Sequence, residues 1–274
     1  MNRKNQFSVL PCLLLLILGM ISLQACRDGD KEVAKCLDSG DCISTIEVAA
    51  VTGDLPLDPE DDFWTTGKAG QQSLIELGPQ MITNPKWPNP SIHEVKVQAV
   101  RNKTEIAIRL EWKDSTLNHK YGHSSNYSDQ AAVMFPLQVD GDPPPIMMGE
   151  EGETVNVWQW KAIWQKGLKP AKRQRGFPDE GADLMADDRA SPVEDLNAQG
   201  FSTLSIQEEQ NVQGKGVWKD EKWMVVMKRS LVNSDSNDIQ FKHSVPMAIA
   251  VWNGGNRERN GQKGLAGWIL MKFV

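Results

Sequence analysis

The chain has 274 residues, a formal charge of −6 and a pI near 5.3. That balance argues against nucleic acid as a partner, since nucleic-acid-binding domains are usually basic. Ten tryptophans stand against two tyrosines, and all ten lie beyond residue 63, which places the packed domain there.

The N-terminus reads as an export signal. Arg3 and Lys4 form a positive start, Leu10 to Met20 is nearly all apolar, and L-Q-A-C follows at 23–26. A charged start, a short apolar core and a small residue before the cut describe a secretory signal. The ending on Ala25-Cys26 makes it a lipoprotein signal over 1–25, with Cys26 lipidated as the first mature residue. A membrane-spanning anchor is the competing reading, but the apolar stretch is shorter than the roughly 20 residues a bilayer needs. The expectation is therefore an exported lipoprotein on a periplasm-facing membrane surface. Cys12 falls in the discarded peptide. Cys36 and Cys42 lie in the polar leader, where an exported chain makes a small disulfide loop plausible. They are too few for a zinc or iron–sulfur site. No C-x-x-C-H occurs, so a covalently attached c-type haem is excluded. Residues 26–53 are expected as a tether with a span of roughly 25–30 Å, and 54–274 as the packed domain.

From residue 54 the pattern is strands and turns. H-E-V-K-V-Q-A-V at 93–100 alternates, R-N-K-T supplies a turn, and E-I-A-I-R-L-E-W at 105–112 alternates back, which predicts a β-hairpin. Further strands are expected at 130–138, 154–164, 216–218 with 222–229, 245–252 and 266–273, and a second hairpin turn at Lys219-Asp220-Glu221. Residues 71–78 and 203–210 are expected as short helical or irregular connections. The class is all-β, an antiparallel β-sandwich. Residues 165–200, rich in Pro, Gly and charge, read as a long loop excursion that covers a cofactor or docks a partner.

Nucleophilic hydrolysis finds no support: there is no G-x-S-x-G, and the four histidines sit in no triad context. His119 and His123 have a spacing that binds metal on a helix, but Gly122 and the neighbouring serines predict a solvated loop.

Several blocks together carry a family likeness. They are L-D-P-E-D-D-F-W at 57–64, I-R-L-E-W-K-D at 108–114, S-D-Q-A-A-V-M-F-P at 128–136, P-I-M-M-G with V-W-Q-W-K across 145–161, and A-V-W-N-G-G-N-R-E-R-N-G-Q-K at 250–263. In this order they resemble the γ subunit of ethylbenzene dehydrogenase and its relatives, the b-haem subunits of periplasmic molybdenum oxidoreductases, over about 54–274. The resemblance implies one non-covalent haem b at one end of the β-sandwich, with Met148 and Lys263 as axial ligands of the iron. Met147 is the competitor for the first place, and the M-G pair favours Met148. Trp158, Trp160 and Trp252 are expected to wall the haem, while Arg257 and Arg259 either pair with its propionates or sit in solvent. The resemblance further implies a non-catalytic electron-transfer subunit. Its partners would be a molybdenum catalytic subunit, an iron–sulfur subunit and an external carrier such as a c-type cytochrome. A carbohydrate-binding β-sandwich without cofactor, stacking sugars on exposed tryptophans, is the reading from a different class.

Overall fold

A computed structural model describes residues 44–120, 126–165 and 189–274. The expected signal, Cys26, Cys36, Cys42, His123 and most of the 165–200 excursion fall outside these residues.

The described residues form one long, curled sheet of twelve strands. They are β1 (Thr45–Ala50), β2 (Ser73–Glu76), β3 (Glu94–Arg101), β4 (Glu105–Lys113), β5 (Gln130–Pro136), β6 (Val155–Lys161), β7 (Val193–Ala198), β8 (Ser205–Ile206), β9 (Gln213–Lys219), β10 (Lys222–Ser230), β11 (Val245–Trp252) and β12 (Gly264–Phe273). Their order is β8-β7-β6-β5-β11-β12-β1-β3-β4-β10-β9, with β2 beside β3. The hairpin predicted over 93–112 is β3–β4, paired from Arg101↔Ile106 to Lys96↔Glu111. The second hairpin, β9–β10, turns at Asp220 and Glu221, whose φ values of 51° and 56° match the right-handed twist of a two-residue turn.

Three regions differ from the expectation. Inside the expected tether, residues 45–50 form β1, which pairs in parallel with both β12 and β3 and buries Ile46 and Val48. Its T-I-E-V alternation is the ordinary signal of a half-buried strand. Residues 73–76 and 205–206 are strands, because their backbones complete the ladders of β3 and β7. The end of the expected excursion, 193–198, is β7, paired along its length with β6.

Curling brings the two halves of the sheet face to face as a sandwich. Trp112 of β4 and Trp223 of β10 meet Trp160 of β6 with ring centroids at 6.2 and 4.8 Å, and Phe135, Trp158 and Phe241 interlock beside them. Such edge-on aromatic pairs add about 0.5–1.5 kcal/mol each beyond their burial. Gly216 on β9 lets Trp160 in, since a Cβ there would lie 2.3 Å from the indole. The outer face of the β3–β4–β10 half is covered by 51–69, with Leu55 and Trp64 over Val100, Ala107 and Val226.

One polar knot sits inside the domain. Arg229 pairs with Asp238 at 2.9 Å, and Asp195 accepts from Asn156 at 2.6 Å and Gln207 at 3.0 Å. Burial, then the charge of Asp238, pushes the Asp195 carboxyl up to about 7. A raised carboxyl pKa means the folded state holds a proton that the unfolded chain releases near pH 4, so this contribution to stability is full below pH 4 and lost as pH rises through about 7. Asp195→Asn keeps the accepting oxygen and removes the charge. It should leave the unfolding free energy from urea titration nearly unchanged at pH 4 and raise it at pH 8, by roughly 1–3 kcal/mol.

Candidate functional site: a cavity between two turns

Because side chains alternate along a strand, β5, β6 and β11 present two faces. Ala131, Val133, Phe135, Trp158, Trp160, Ile249 and Val251 enter the main core. Gln130, Ala132, Met134, Val157, Gln159, Lys161, Ala248, Ala250 and Trp252 point the other way, and the turns at 143–150, 199–204 and 253–263 rise around them. The space enclosed is a cavity of about 870 Å³, at the upper end of the 300–1,000 Å³ usual for ligand sites. Ala132, Ala248 and Ala250 give it a flat, low floor.

The first turn positions methionine. Met148 has φ 71° and Gly149 φ 77°, two successive left-handed residues, of which only the glycine adopts that conformation without cost. The turn is held by Trp268 Nε1 donating to Pro144 O at 2.7 Å, Gly149 N to Pro145 O at 3.1 Å, and Gly200 N to Met148 O at 2.8 Å. Met147 and Met148 both line the cavity. Met148 is the half-buried one, packed against the floor cluster, while Met147 is exposed.

The second turn positions lysine. Glu258, fully buried, accepts from Trp87 Nε1, Ser91 N and Oγ, and Asn256 Nδ2 through one oxygen and from Asn253 N through the other. Asp129 accepts from Gly254 N at 2.8 Å, and the Gln80 amide donates to Gly261 O at 2.9 Å. Trp252 Nε1 donates to Asn260 O at 3.0 Å, so its ring lies beneath Lys263, whose Nζ is 4.9 Å from the ring centroid. Burial pushes the Lys263 amine down to about 8. Among the described residues no acid pairs with it, and none of the described lining residues is Asp or Glu.

Met148, Lys263, Trp252 and Arg259 are thus brought to one cavity. Arg257 is exposed at the outer bend of the turn, and Arg259 stacks 4.5 Å from the Tyr127 ring centroid. Trp158 and Trp160 are placed on the opposite face of β6, in the main core, so Val157 and Gln159 stand where they were expected. In V-N-V-W-Q-W both parities are apolar enough to be inner, and only the Trp112–Trp223 pair decides for the tryptophans. His119 is buried beside the lysine turn. Sequence reasoning missed Glu258, Asp129 and Gln80, since an acid or amide in a polar turn looks solvated; only the density of glycines around them hints at a backbone that needs internal acceptors.

A thioether and an amine, carried on two turns above a low apolar floor, thus share one cavity on the outer face of the sheet. The sequence profile of the family described as ethylbenzene dehydrogenase matches residues 61–199 and 171–264. The chain belongs to that family. It is 28% identical over 80% of its length, and 69% of the relative's, to a Haloferax mediterranei protein bearing the provisional name of a respiratory nitrate reductase heme subunit. It is 25% identical to the chlorate reductase subunit gamma of Ideonella dechloratans over 94% of this chain and 96% of that one. With the dimethylsulfide dehydrogenase subunit gamma of Rhodovulum sulfidophilum the identity is 26%, covering 80% and 76%. A solved carbohydrate binding module of family 9 from Caldicellulosiruptor kristjanssonii has 9% identity and a TM-score of 0.41, covering 84% of this chain and 96% of that chain.

Gly149 tests the methionine turn. Gly149→Ala would set a Cβ 2.2 Å from Glu153 O as well as straining φ, whereas Gly152→Ala, at φ 84°, meets nothing within 4 Å. Both variants should lose about 1 kcal/mol to backbone strain, and Gly149→Ala at least about 1 kcal/mol more, measured by urea unfolding.

Proposed function

We propose that this protein is the electron-transfer subunit of a molybdenum oxidoreductase and holds one b-type haem with Met148 and Lys263 as axial ligands. The observation that carries the reading is the meeting of these two side chains, from turns far apart in sequence, at one cavity. The relatives named as heme or gamma subunits of reductase and dehydrogenase complexes support the role.

The residues present fit such a group. A thioether is a neutral, soft donor that favours reduced iron. An amine donates only when neutral. A solvated lysine near 10.4 would cost about 4–5 kcal/mol to deprotonate at pH 7, whereas a value of about 8 lowers that to about 1.4 kcal/mol. An acid beside Lys263 would undo this by holding its proton, so the lack of Asp and Glu among the described lining residues is part of the fit. Ala132, Ala248 and Ala250 admit a flat ring, and the apolar floor excludes water. When bound, the haem supplies a one-electron couple. With Met148 and Lys263 both given to the iron, no place would be left open for a substrate, and the subunit would relay electrons without catalysis. They would pass between an iron–sulfur subunit, itself served by the molybdenum subunit, and an external carrier such as a c-type cytochrome. Cys26 would carry the lipid that keeps the exported domain at a periplasm-facing membrane.

The carbohydrate-binding reading loses its motive: seven of the ten tryptophans are buried and the other three, Trp87, Trp218 and Trp268, half-buried, which leaves no exposed stacking platform.

A pyridine haemochrome assay on natively produced protein should return one b haem per chain with a low-spin six-coordinate spectrum; absence of haem, or a c-type product, rejects the function. Lys263→Ala should open a position to carbon monoxide, and Lys263→Arg should not restore the spectrum, because guanidinium has no free lone pair. Met148→Ala should alter the reduced spectrum and potential more than Met147→Ala; the reverse result moves the ligand by one residue.

A further inference from the structure

Besides Lys263, the described residues that line the cavity include two cations, Lys161 and Arg259, and no acid. Arg259 was expected there. Lys161 was not, and its surroundings form a built site. It closes β6 on the cavity face, beside Gln130 of β5, which in turn neighbours Trp252 of β11. Lys161 Nζ lies 4.1 Å above the ring centroid of Trp164, and the guanidinium of Arg189 lies 3.6 Å from the same centroid. Both cations share one carboxylate, that of Glu194, which is 3.5 Å from Lys161 and 2.8 Å from Arg189.

Among the described residues, two cations against one acid leave this cluster with a charge of +1, and Arg259 adds another. Burial, with the charge of Arg189 beside it, holds the Lys161 amine below the ordinary lysine range although Glu194 pulls the other way. A largely buried excess of positive charge, next to a cavity whose described lining holds no acid, is costly unless an anion completes it. The total of +2 balances the −2 of the two carboxylates on one b haem.

Resting on the haem reading above, we propose that Lys161, backed by Arg189 across Trp164, binds one carboxylate of the cofactor, with Arg259 facing the other. Lys161 is here a binding residue for the cofactor's edge and has no part in ligating iron. Its Nζ has a hydrogen free beyond Glu194 and Trp164, and an ammonium donates up to three. An added charge-assisted hydrogen bond in a site shielded from water is among the stronger polar contacts.

The test compares protohaem with its dimethyl ester, which lacks both carboxylates, in the full chain and in K161M and K161R. The readout is the rate of haem transfer to excess apomyoglobin, with the optical spectrum recorded alongside. K161M is expected to release protohaem about tenfold to a hundredfold faster than the wild type, with the low-spin spectrum unchanged. It should release the ester at the wild-type rate, and K161R should stay close to the wild type with both. Equal acceleration of acid and ester by K161M would show a packing role only, and no acceleration would show no contact; either result overturns the proposal while the haem function stands. If K161M does not fold, the wild type alone decides, because loss of protohaem and ester at the same rate excludes any carboxylate site. A wild type that takes up neither pigment instead refutes the haem reading itself.

Discussion

The structure depends on a half-sheet that is apolar on both faces. β11 is buried at every position from Val245 to Trp252, and β5 at all but its first. A strand in a two-layer sandwich ordinarily needs apolar residues on alternate positions only. Here the inner parity builds the core with Trp112, Trp160 and Trp223, while among the described residues the outer parity is covered by turns. The turns leave about 870 Å³ between themselves and the floor.

That arrangement assigns separate duties to sheet and turns. The middle of the sheet sets the floor with Ala132, Met134, Val157, Ala248 and Ala250, and its polar outer residues, Gln130, Gln159 and Lys161, stand toward one end. The turns reach over the floor and carry the donors, and each is fixed by groups that face away from the cavity. The methionine turn hangs from Trp268 and Gly200, and the lysine turn from Glu258, Asp129 and Gln80. Gly254 is required in the second because a Cβ there would lie 2.1 Å from Tyr127 O. Donors on supported turns are held nearly as firmly as donors on strands, which an electron-transfer site needs if its geometry is to stay constant between redox states.

Much of this was legible from residues. The alternation at 93–112, the turn at Asp220-Glu221 and the glycine spacing of the two ligand turns led directly to β3–β4, β9–β10 and the cavity walls. Three things were not. β1 alternates as clearly as β3, but it lacks aromatic residues and follows a polar leader, and a parallel partner distant in sequence leaves no local trace. The side of β6 on which Trp158 and Trp160 lie depends on rings contributed by β4 and β10, so no window of β6 alone contains it. Lys161, Glu194 and Arg189 look like ordinary surface charges, and only the pairing of β6 with β7 and the position of Trp164 bring them together.

The same network bears on the protonation of Lys263. A lysine gives up its proton at modest cost only where no carboxylate competes for it, yet the lysine turn lies close to two buried acids. Asp129 is occupied by Asn118 N, Gly254 N and Trp223 Nε1, and burial together with the charge of Asp114 pushes its carboxyl well above the ordinary range. Glu258 is occupied by five donors, every one of them outside the Lys263 side chain. Each acid near the turn is therefore engaged by backbone and indole donors before it can reach the amine. The hydrogen bonds that shape the turn are also the ones that keep Lys263 free of a counter-charge, so the turn's architecture and the donor's protonation state are two consequences of one network.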